Sequence, residues 1–326
     1  MKPKVLVTRK VFPEVTERLA AQFDLTSNDA DDILSPSELA ARAVGAEGIL
    51  ATLTEKFDAA FLDSCPRLKV ISNIATGYNN IDVAACTARG VMVTNTPGVL
   101  EDTTADLAFA LLLAVARRIT EAEAWLRAGE WKKGFALQQM IGRDVHHATL
   151  GIIGMGKIGQ AIARRARGFD MQILYSNRKR LAAEVEAQLA ATHVPREELL
   201  ARADFVVVMV PYSAETHHLI GARELSLMKA DAILVNTARG GVVDDAALIE
   251  ALRFGRIAGA GLDVFENEPA FNREFLSLKN VVLVPHIGSA TLATRMKMAS
   301  LAADNLTAAL TGKMPPTLVN KDVVKR

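Results

Sequence analysis

The sequence predicts an α/β protein with two doubly wound domains, each built on a parallel sheet. Short apolar, β-branched runs alternate with longer segments of helical period, which is typical of βα units. The apolar runs are nearly continuous rather than alternating, as expected of strands buried on both faces. A chain of 326 residues is long enough for two domains at about 150 residues each.

The predicted strands fall into two groups, separated by a long helical segment. The first group covers residues 4–8, 48–51, 70–75 and 91–94. The second group covers residues 149–154, 171–176, 205–210, 232–236, 259–263 and 280–284. Residues 101–127 between them predict a helix that is capped near Asp102 or Thr103 and crosses between the domains.

A final helix is predicted over residues 291–310, folding back on the first domain. We therefore expect one domain of residues 1–101 completed by 292–326, and a second domain of residues 102–291. The cleft between two such domains is the expected binding site.

Composition excludes several classes of protein. The 38 Lys and Arg nearly balance the 37 Asp and Glu, so no overall field would attract nucleic acid or an anionic membrane. Residues 205–210 form an apolar run that, like the others in the sequence, is far shorter than the roughly 20 residues that span a bilayer. Cys65 and Cys86 are too few for a disulfide framework and lack metal-ligand spacing. We expect a cytoplasmic protein without a metal ion.

A glycine pattern, G-x-G-x-x-G, directly follows the first strand of the second group and precedes a helix. In that context it predicts a dinucleotide site, where the backbone turns tightly and the helix N-terminus faces a pyrophosphate. Glycines that serve only a turn are the alternative. The predicted contacts are Gly154, Met155, Gly156, Lys157, Ile158 and Gly159.

The end of the next strand indicates which nucleotide is bound. A fold that prefers NAD places Asp or Glu about 20 residues after the glycines, against the ribose 2′-hydroxyl. Here Ser176 stands at that place, followed by Asn177, Arg178 and Lys179. These groups would bind a 2′-phosphate that a carboxylate would repel. We predict NADP(H) as the preferred cofactor, with NAD(H) still possible; a solvated basic turn is the alternative.

Arg239, Glu268 and His286 each follow a later predicted strand, so they should project from the same sheet edge as the glycines. Together they suit reduction of a 2-oxo acid. A guanidinium can grip a carboxylate and polarise a keto oxygen. An imidazole can deliver the proton, and a neighbouring carboxylate can orient the ring. A helix cap or a surface turn is the alternative for such residues. The pairs His146–His147 and His217–His218 are expected in loops or at the surface.

Six motifs occur in a fixed order along the chain. They are A-T-G-Y-N-N-I-D at 75–82, N-T-P-G-V-L-E-D-T-T-A-D at 95–106, the glycine turn, N-T-A-R-G at 236–240, L-D-V-F-E-N-E-P at 262–269 and P-H-I-G-S-A-T at 285–291. Over nearly the whole chain, the sequence resembles the D-isomer-specific 2-hydroxyacid dehydrogenase family. It is most similar to the glyoxylate/hydroxypyruvate reductase branch, which includes 2-ketogluconate reductases.

The resemblance implies a Rossmann cofactor domain and a flavodoxin-like substrate domain joined by crossing helices. It implies that Arg239, Glu268 and His286 are catalytic. Substrate contacts fall on Thr76 and Gly77, together with Arg239 and His286. Further cofactor contacts fall on Thr104, Val210, Pro211, Thr237, Ala238, Asp263 and Gly288, with Asp263 holding the nicotinamide carboxamide.

The family also implies a homodimer formed largely through residues 117–147. Some relatives place an aromatic side chain over the partner's substrate, and Trp131 and Phe135 are both candidates. The functional prediction is NADPH-dependent reduction of a small 2-oxo acid, such as glyoxylate, hydroxypyruvate or 2-ketogluconate. A dinucleotide-sensing binding protein of the same fold, and a dehydrogenase of the phosphoglycerate or D-lactate type, remain open as alternatives.

Overall fold

The structure is a computed structural model that describes residues 2–325. It divides into two compact units. The first comprises the chain up to Leu100 and from Ala290 onward, and the second is Glu101–Ser289. The chain therefore leaves the first unit after Leu100 and returns to it at Ala290.

Helices and strands alternate through most of both units. In chain order they are β1 (Lys4–Val7), α1 (Pro13–Gln22), β2 (Asp24–Ser27), α2 (Pro36–Ala43), β3 (Gly48–Ala51), α3 (Ala59–Ser64), β4 (Val70–Asn73), α4 (Val83–Ala88), β5 (Met92–Thr94), α5 (Glu101–Ala116), α6 (Ile119–Arg127), β6 (Thr149–Ile153), α7 (Lys157–Arg167), β7 (Gln172–Ser176), α8 (Ala183–Leu189), β8 (Ala191–His193), α9 (Arg196–Arg202), β9 (Phe205–Val208), α10 (Ala222–Leu227), β10 (Ile233–Asn236), α11 (Asp245–Arg253), β11 (Gly259–Leu262), β12 (Val281–Leu283) and α12 (Leu292–Leu310).

The first unit is a five-stranded parallel sheet in the order β2-β1-β3-β4-β5. Every residue of β3 and β4 is buried. The last helix, α12, packs against β4, where the Ser72 hydroxyl donates a 2.7 Å hydrogen bond to the carbonyl of Ala302. On its other side, Arg18 of α1 pairs with Asp304 at 2.9 Å. The C-terminal segment is thus an integral part of the first unit.

The second unit is a seven-stranded parallel sheet in the order β12-β11-β10-β9-β6-β7-β8. The chain enters at β6, winds outward through β7 and β8, and then returns to β9 on the other side of β6. This reversal makes the sheet doubly wound, and ligands of such sheets bind beyond the carboxyl ends of the strands near the reversal. The α/β class with two parallel sheets is therefore confirmed.

Two strands and one helix differ from the prediction. The strands β2 and β8 were not predicted, because both are short sheet edges with partly exposed residues and no apolar run. Residues 101–127 do not form one helix, since the backbone turns left-handed at Arg118 (φ 52°) and separates α5 from α6. The helix also begins at Glu101, so the predicted cap near Asp102 or Thr103 is wrong. Within residues 2–325, no helix combines the length and apolarity needed to span a membrane.

Candidate active site

Three loops at the carboxyl ends of neighbouring strands carry the predicted charged residues. Arg239 follows β10, Glu268 follows β11 and His286 follows β12. Because these strands are adjacent and parallel, their loops leave the same edge of the sheet. Sequence order and sheet order together therefore place the three loops side by side in the second unit.

Glu268 and His286 form a hydrogen-bonded pair. Nδ1 of His286 donates to Oε2 of Glu268 at 2.7 Å, and the other carboxylate oxygen accepts the N–H of Phe265 at 2.8 Å. Burial raises the pKa of Glu268, but the hydrogen bond and charge of His286 outweigh burial and hold it below its ordinary value. The carboxylate is thus charged and fixed against Nδ1. This arrangement leaves Nε2 on the opposite side of the ring.

Arg239 is held by the residue that ends β10. The side chain of Asn236 donates to the carbonyl of Arg239 at 3.3 Å and accepts the N–H of Ala238 at 3.1 Å. Burial lowers the pKa of Arg239, and the charges of Glu268 and Asp263 oppose this effect. Those two carboxylates are therefore close enough to act on the guanidinium. The structure brings the predicted cation, carboxylate and imidazole together.

Asp263 fixes the loop that carries His286. The residue is 1% exposed, and its two carboxylate oxygens accept the N–H groups of Ile287 (2.6 Å) and Gly288 (2.9 Å). Burial raises the pKa of Asp263, against these N–H donors. A Cβ at Gly288 would lie 3.4 Å from the methyl of Thr104, so α5 begins beside this loop. A role of Asp263 toward nicotinamide stays a prediction, while its role in the loop is visible.

The glycine turn has the geometry of an anion site. Gly154 has a left-handed φ of 102°, and a Cβ at Gly159 would lie 2.5 Å from the Gly154 carbonyl, so helix and strand pack closely. A Cβ at Gly156 would meet nothing within 4 Å. The side open to solvent thus lies directly before α7, whose first N–H groups have no partner within the helix. Residues 157 and 158 form the first turn of α7.

Two members of the predicted cofactor set tie the glycine turn to β7. The side chain of Met155 is buried, and its N–H donates to Oδ1 of Asn177 at 2.7 Å. Asn177 directly follows Ser176, the last residue of β7. This hydrogen bond fixes the turn that Gly154 begins relative to the turn that follows β7. The contact was not foreseen, because only a polar residue at a strand end signals it.

The basic turn after β7 carries three exposed cations, one of which is paired within the protein. Arg178, Lys179 and Arg180 are all exposed, and Arg180 binds Glu186 of α8 with two 2.8 Å hydrogen bonds. The phenol of Tyr175 donates to the same carboxylate at 2.6 Å. Arg180, followed by Tyr175, lowers the pKa of Glu186 to about 2. Arg180 is therefore a structural residue, and Arg178 and Lys179 are the remaining candidates for binding a phosphate.

The other predicted contacts in the second unit lie after β9 and β10. A Cβ at Gly154 would lie 2.9 Å from the Val210 side chain, and Pro211 next to it is exposed. Thr237 and Ala238 are buried, and the Thr237 hydroxyl donates to the Met209 sulfur at 3.0 Å. These residues therefore surround the same sheet edge as the glycine turn.

Thr76 and Gly77 lie in the first unit, in the loop after β4. The side chain of Asn95 donates to the carbonyl of Thr76 at 2.8 Å, and that of Asn73 donates to the carbonyl of Gly77 at 2.9 Å. Both bonds use carbonyl oxygens of the loop, so they do not engage its N–H groups. The loop is held in shape from inside the first unit.

A family model described as "D-isomer specific 2-hydroxyacid dehydrogenase, NAD binding domain" matches residues 109–288. This range is more than half of the chain and includes the glycine turn and all three charged residues. The chain belongs to this family. It is an NAD(P)-dependent D-2-hydroxyacid dehydrogenase, and the resemblance predicted from its motifs is confirmed.

Similar members of the D-2-hydroxyacid dehydrogenase family match along the entire chain. The glyoxylate reductase of Thermococcus gammatolerans is 52% identical over 328 residues, which cover 100% of this chain and 98% of that protein. The glyoxylate reductase of Pyrococcus horikoshii is 51% identical over 331 residues, with 100% and 98% covered. Among solved structures, an NADPH-dependent glyoxylate/hydroxypyruvate reductase from Sinorhizobium meliloti, in complex with NADP and malonate, is 36% identical with a TM-score of 0.88, covering 99% of this chain and 98% of that chain.

Proposed function

We propose that this dehydrogenase reduces small 2-oxo acids to 2-hydroxy acids with NADPH as the preferred donor and NADH as an accepted one. Glyoxylate and hydroxypyruvate are the proposed substrates, with 2-ketogluconate as a longer one. The hydrogen-bonded pair of His286 and Glu268 beside Arg239 carries the proposal. Such a set can bind a carboxylate, polarise a carbonyl and transfer one proton.

Each of these residues has a defined task in the proposal. Arg239 binds the substrate carboxylate with its guanidinium and polarises the keto oxygen. His286 gives the proton on Nε2 to that oxygen as general acid, and Glu268 keeps the ring oriented and stabilises its charged form. The backbone N–H groups of Thr76 and Gly77 are proposed to share the carboxylate. When bound, reduced nicotinamide supplies the hydride that the keto carbon accepts.

The second unit fits a dinucleotide at the glycine turn, since the open side at Gly156 adjoins the N-terminus of α7. We assign the pyrophosphate to residues 154–159 and the 2′-phosphate to the turn of Ser176, Asn177, Arg178 and Lys179. The exposed cations of this turn support NADP(H). The remaining proposed cofactor contacts are Thr104, Val210, Pro211, Thr237, Ala238, Asp263 and Gly288.

Arg178→Ala should reduce the preference for NADPH over NADH. Losing a charge-assisted hydrogen bond to phosphate weakens binding by about 1.5–3 kcal/mol, which is roughly tenfold to a hundredfold. The measurement is kcat/KM for both cofactors with a panel of 2-oxo acids. Arg273→Ala, which removes another exposed cation of the second unit, is the matched control. An unchanged cofactor ratio in Arg178→Ala would contradict the assignment of the 2′-phosphate.

Glu268→Gln should move the pH profile of kcat. Reduction needs a protonated donor, so its rate falls as pH rises. Because glutamine lacks the negative charge that faces the imidazole, we expect this fall at a lower pH. Steady-state kinetics from acid to alkaline pH check this, with Glu250→Gln on the exposed face of α11 as the control. A profile that stays in place would count against the role of Glu268.

The same substrate panel separates the enzyme from its main alternative. Binding of NADPH with no turnover of any 2-oxo acid would favour a dinucleotide-sensing protein. Turnover confined to the 2-oxo acids that correspond to phosphoglycerate or D-lactate would favour a dehydrogenase of the phosphoglycerate or D-lactate type.

We also propose that two copies associate through residues 117–147. This segment presents several large apolar side chains to solvent, and Phe135 and Leu137 are each 86% exposed. Exposed large apolar side chains that form one patch mark interaction sites, and their number in this short segment supports the proposal. Sedimentation that shows only a 35.1 kDa species would contradict this assembly.

Both cysteines are buried free thiols, which supports a reducing compartment such as the cytoplasm.

A further inference from the structure

A second polar cluster joins the loop after β9, the start of α11 and the loop after β11. Glu266 and Asp245 are linked by reciprocal hydrogen bonds. The N–H of Asp245 donates to Oε1 of Glu266 at 3.2 Å, and the N–H of Glu266 donates to Oδ2 of Asp245 at 3.0 Å. Nε2 of His218 donates to the same Oε1 at 2.9 Å. The loops after β9, β10 and β11 are thus tied to one another.

His218 is held in place through its backbone and through its ring. Its N–H donates to the carbonyl of Gly241 at 2.7 Å, and its Nδ1 lies 3.6 Å from a carboxylate oxygen of Asp244. Its ring stacks on His217 with centroids 3.9 Å apart. The expected loop position of this histidine is correct, but the ring is held by contacts to two other loops. Both ring nitrogens face carboxylates, and Oε1 of Glu266 accepts two hydrogen bonds.

Asp245 is a buried carboxylate. It is 7% exposed, and burial raises its pKa to about 6 although the N–H of Glu266 works in the opposite direction. A buried carboxylate is retained at a cost, which its hydrogen bonds offset. The neighbouring backbones also touch, because a Cβ at Gly240 would lie 1.7 Å from the carbonyl oxygen of Phe265. The loops after β10 and β11 therefore have little room to move relative to each other.

We propose that His218, Asp245 and Glu266 form a brace that positions Glu268 against His286. The brace acts through Phe265, which precedes Glu266 and whose N–H holds one oxygen of Glu268. Its three members are positioning residues: they set the geometry of proton transfer and leave cofactor binding unchanged. This inference rests on the roles proposed for Glu268 and His286.

A double-mutant cycle between Glu266→Ala and Glu268→Gln tests the brace. Glu266→Ala should lower kcat about tenfold, and this loss should largely vanish in the Glu268→Gln background because both changes act on one group. The dissociation constant of NADPH, from the quenching of protein fluorescence, should stay within about twofold. Glu266→Gln keeps the acceptor oxygen and should recover most of kcat. Glu250→Ala on the exposed face of α11 is the matched control and should leave kcat unchanged.

The outcomes separate the brace from the function on which it rests. If Glu266→Ala lowers kcat by the same factor in both backgrounds, or does not lower it, the brace is wrong while the proposed function stands. If Glu268→Gln changes neither kcat nor its pH profile, the role of Glu268 fails, and the brace fails with it. If circular dichroism shows that Glu266→Ala is unfolded, His218→Gln replaces it in the same cycle. The His218 side chain is 36% exposed, so its replacement should leave the fold intact. A coupled loss supports the brace and an additive one overturns it.

Discussion

Arg239→Ala should lose nearly all 2-oxo acid reduction, with kcat/KM falling on the order of a thousandfold. The charges of Glu268 and Asp263 act on this guanidinium, and alanine can neither hold a carboxylate nor polarise a keto oxygen. The effect should appear in both kcat and KM, since binding and activation of the substrate are lost together. Initial rates with glyoxylate and hydroxypyruvate at saturating NADPH measure it.

Two further variants make the Arg239 result specific. Arg239→Lys retains the charge without the planar fork, so we expect an activity between those of the parent and the alanine variant. Arg256→Ala removes an exposed cation of the same unit and should leave the rates unchanged. If Arg239→Ala kept even a tenth of the parent kcat/KM, Arg239 would not be the residue that activates the substrate.

His286→Asn should lower kcat for reduction by about 10²–10⁴-fold, the usual contribution of a positioned general acid. Asparagine can still donate a hydrogen bond toward Glu268 but cannot deliver a proton to the substrate. The dissociation constant of NADPH should be nearly unchanged, because the glycine turn and the basic turn are untouched. Stopped-flow absorbance of NADPH oxidation, together with a binding titration, measures both quantities.

The control for His286 is His146→Asn, which replaces another exposed histidine of the second unit. We expect it to match the parent in rate and in cofactor affinity. A His286→Asn variant that reduced 2-oxo acids at the parent rate, over the whole pH range, would show that another group supplies the proton.

The sequence predicted the central strands because their residues are buried on both faces, which leaves continuous apolar runs. It could not predict β2 and β8, because edge strands are paired on one side and need few apolar residues. The break between α5 and α6 was hidden for a different reason. Arg118 is a good helix former, so its identity gave no sign of the left-handed backbone that the residue adopts beside its side-chain fork on Glu121.

Motifs at strand ends indicated which residues carry the candidate site, since parallel neighbours bring such ends together. They did not indicate which residues hold them. Asn236 and Asp263 belong to the quoted motifs, yet their hydrogen bonds to the loops of Arg239 and His286 depend on distances that no spacing reveals. The same holds for His218, whose partner Glu266 lies 48 residues away in the chain.

The fork between Arg180 and Glu186 also bears on any attempt to engineer nucleotide selectivity. The turn after β7 spells Arg178-Lys179-Arg180, but the third of these side chains is committed to the protein itself. A library aimed at redesigning selectivity should randomise positions 176–179 and keep 180 and 186 fixed. Replacing Arg180 would leave the carboxylate of Glu186 without its cation and with the Tyr175 hydroxyl as a remaining donor, so a change at this position would cost stability without altering the cations available to the nucleotide.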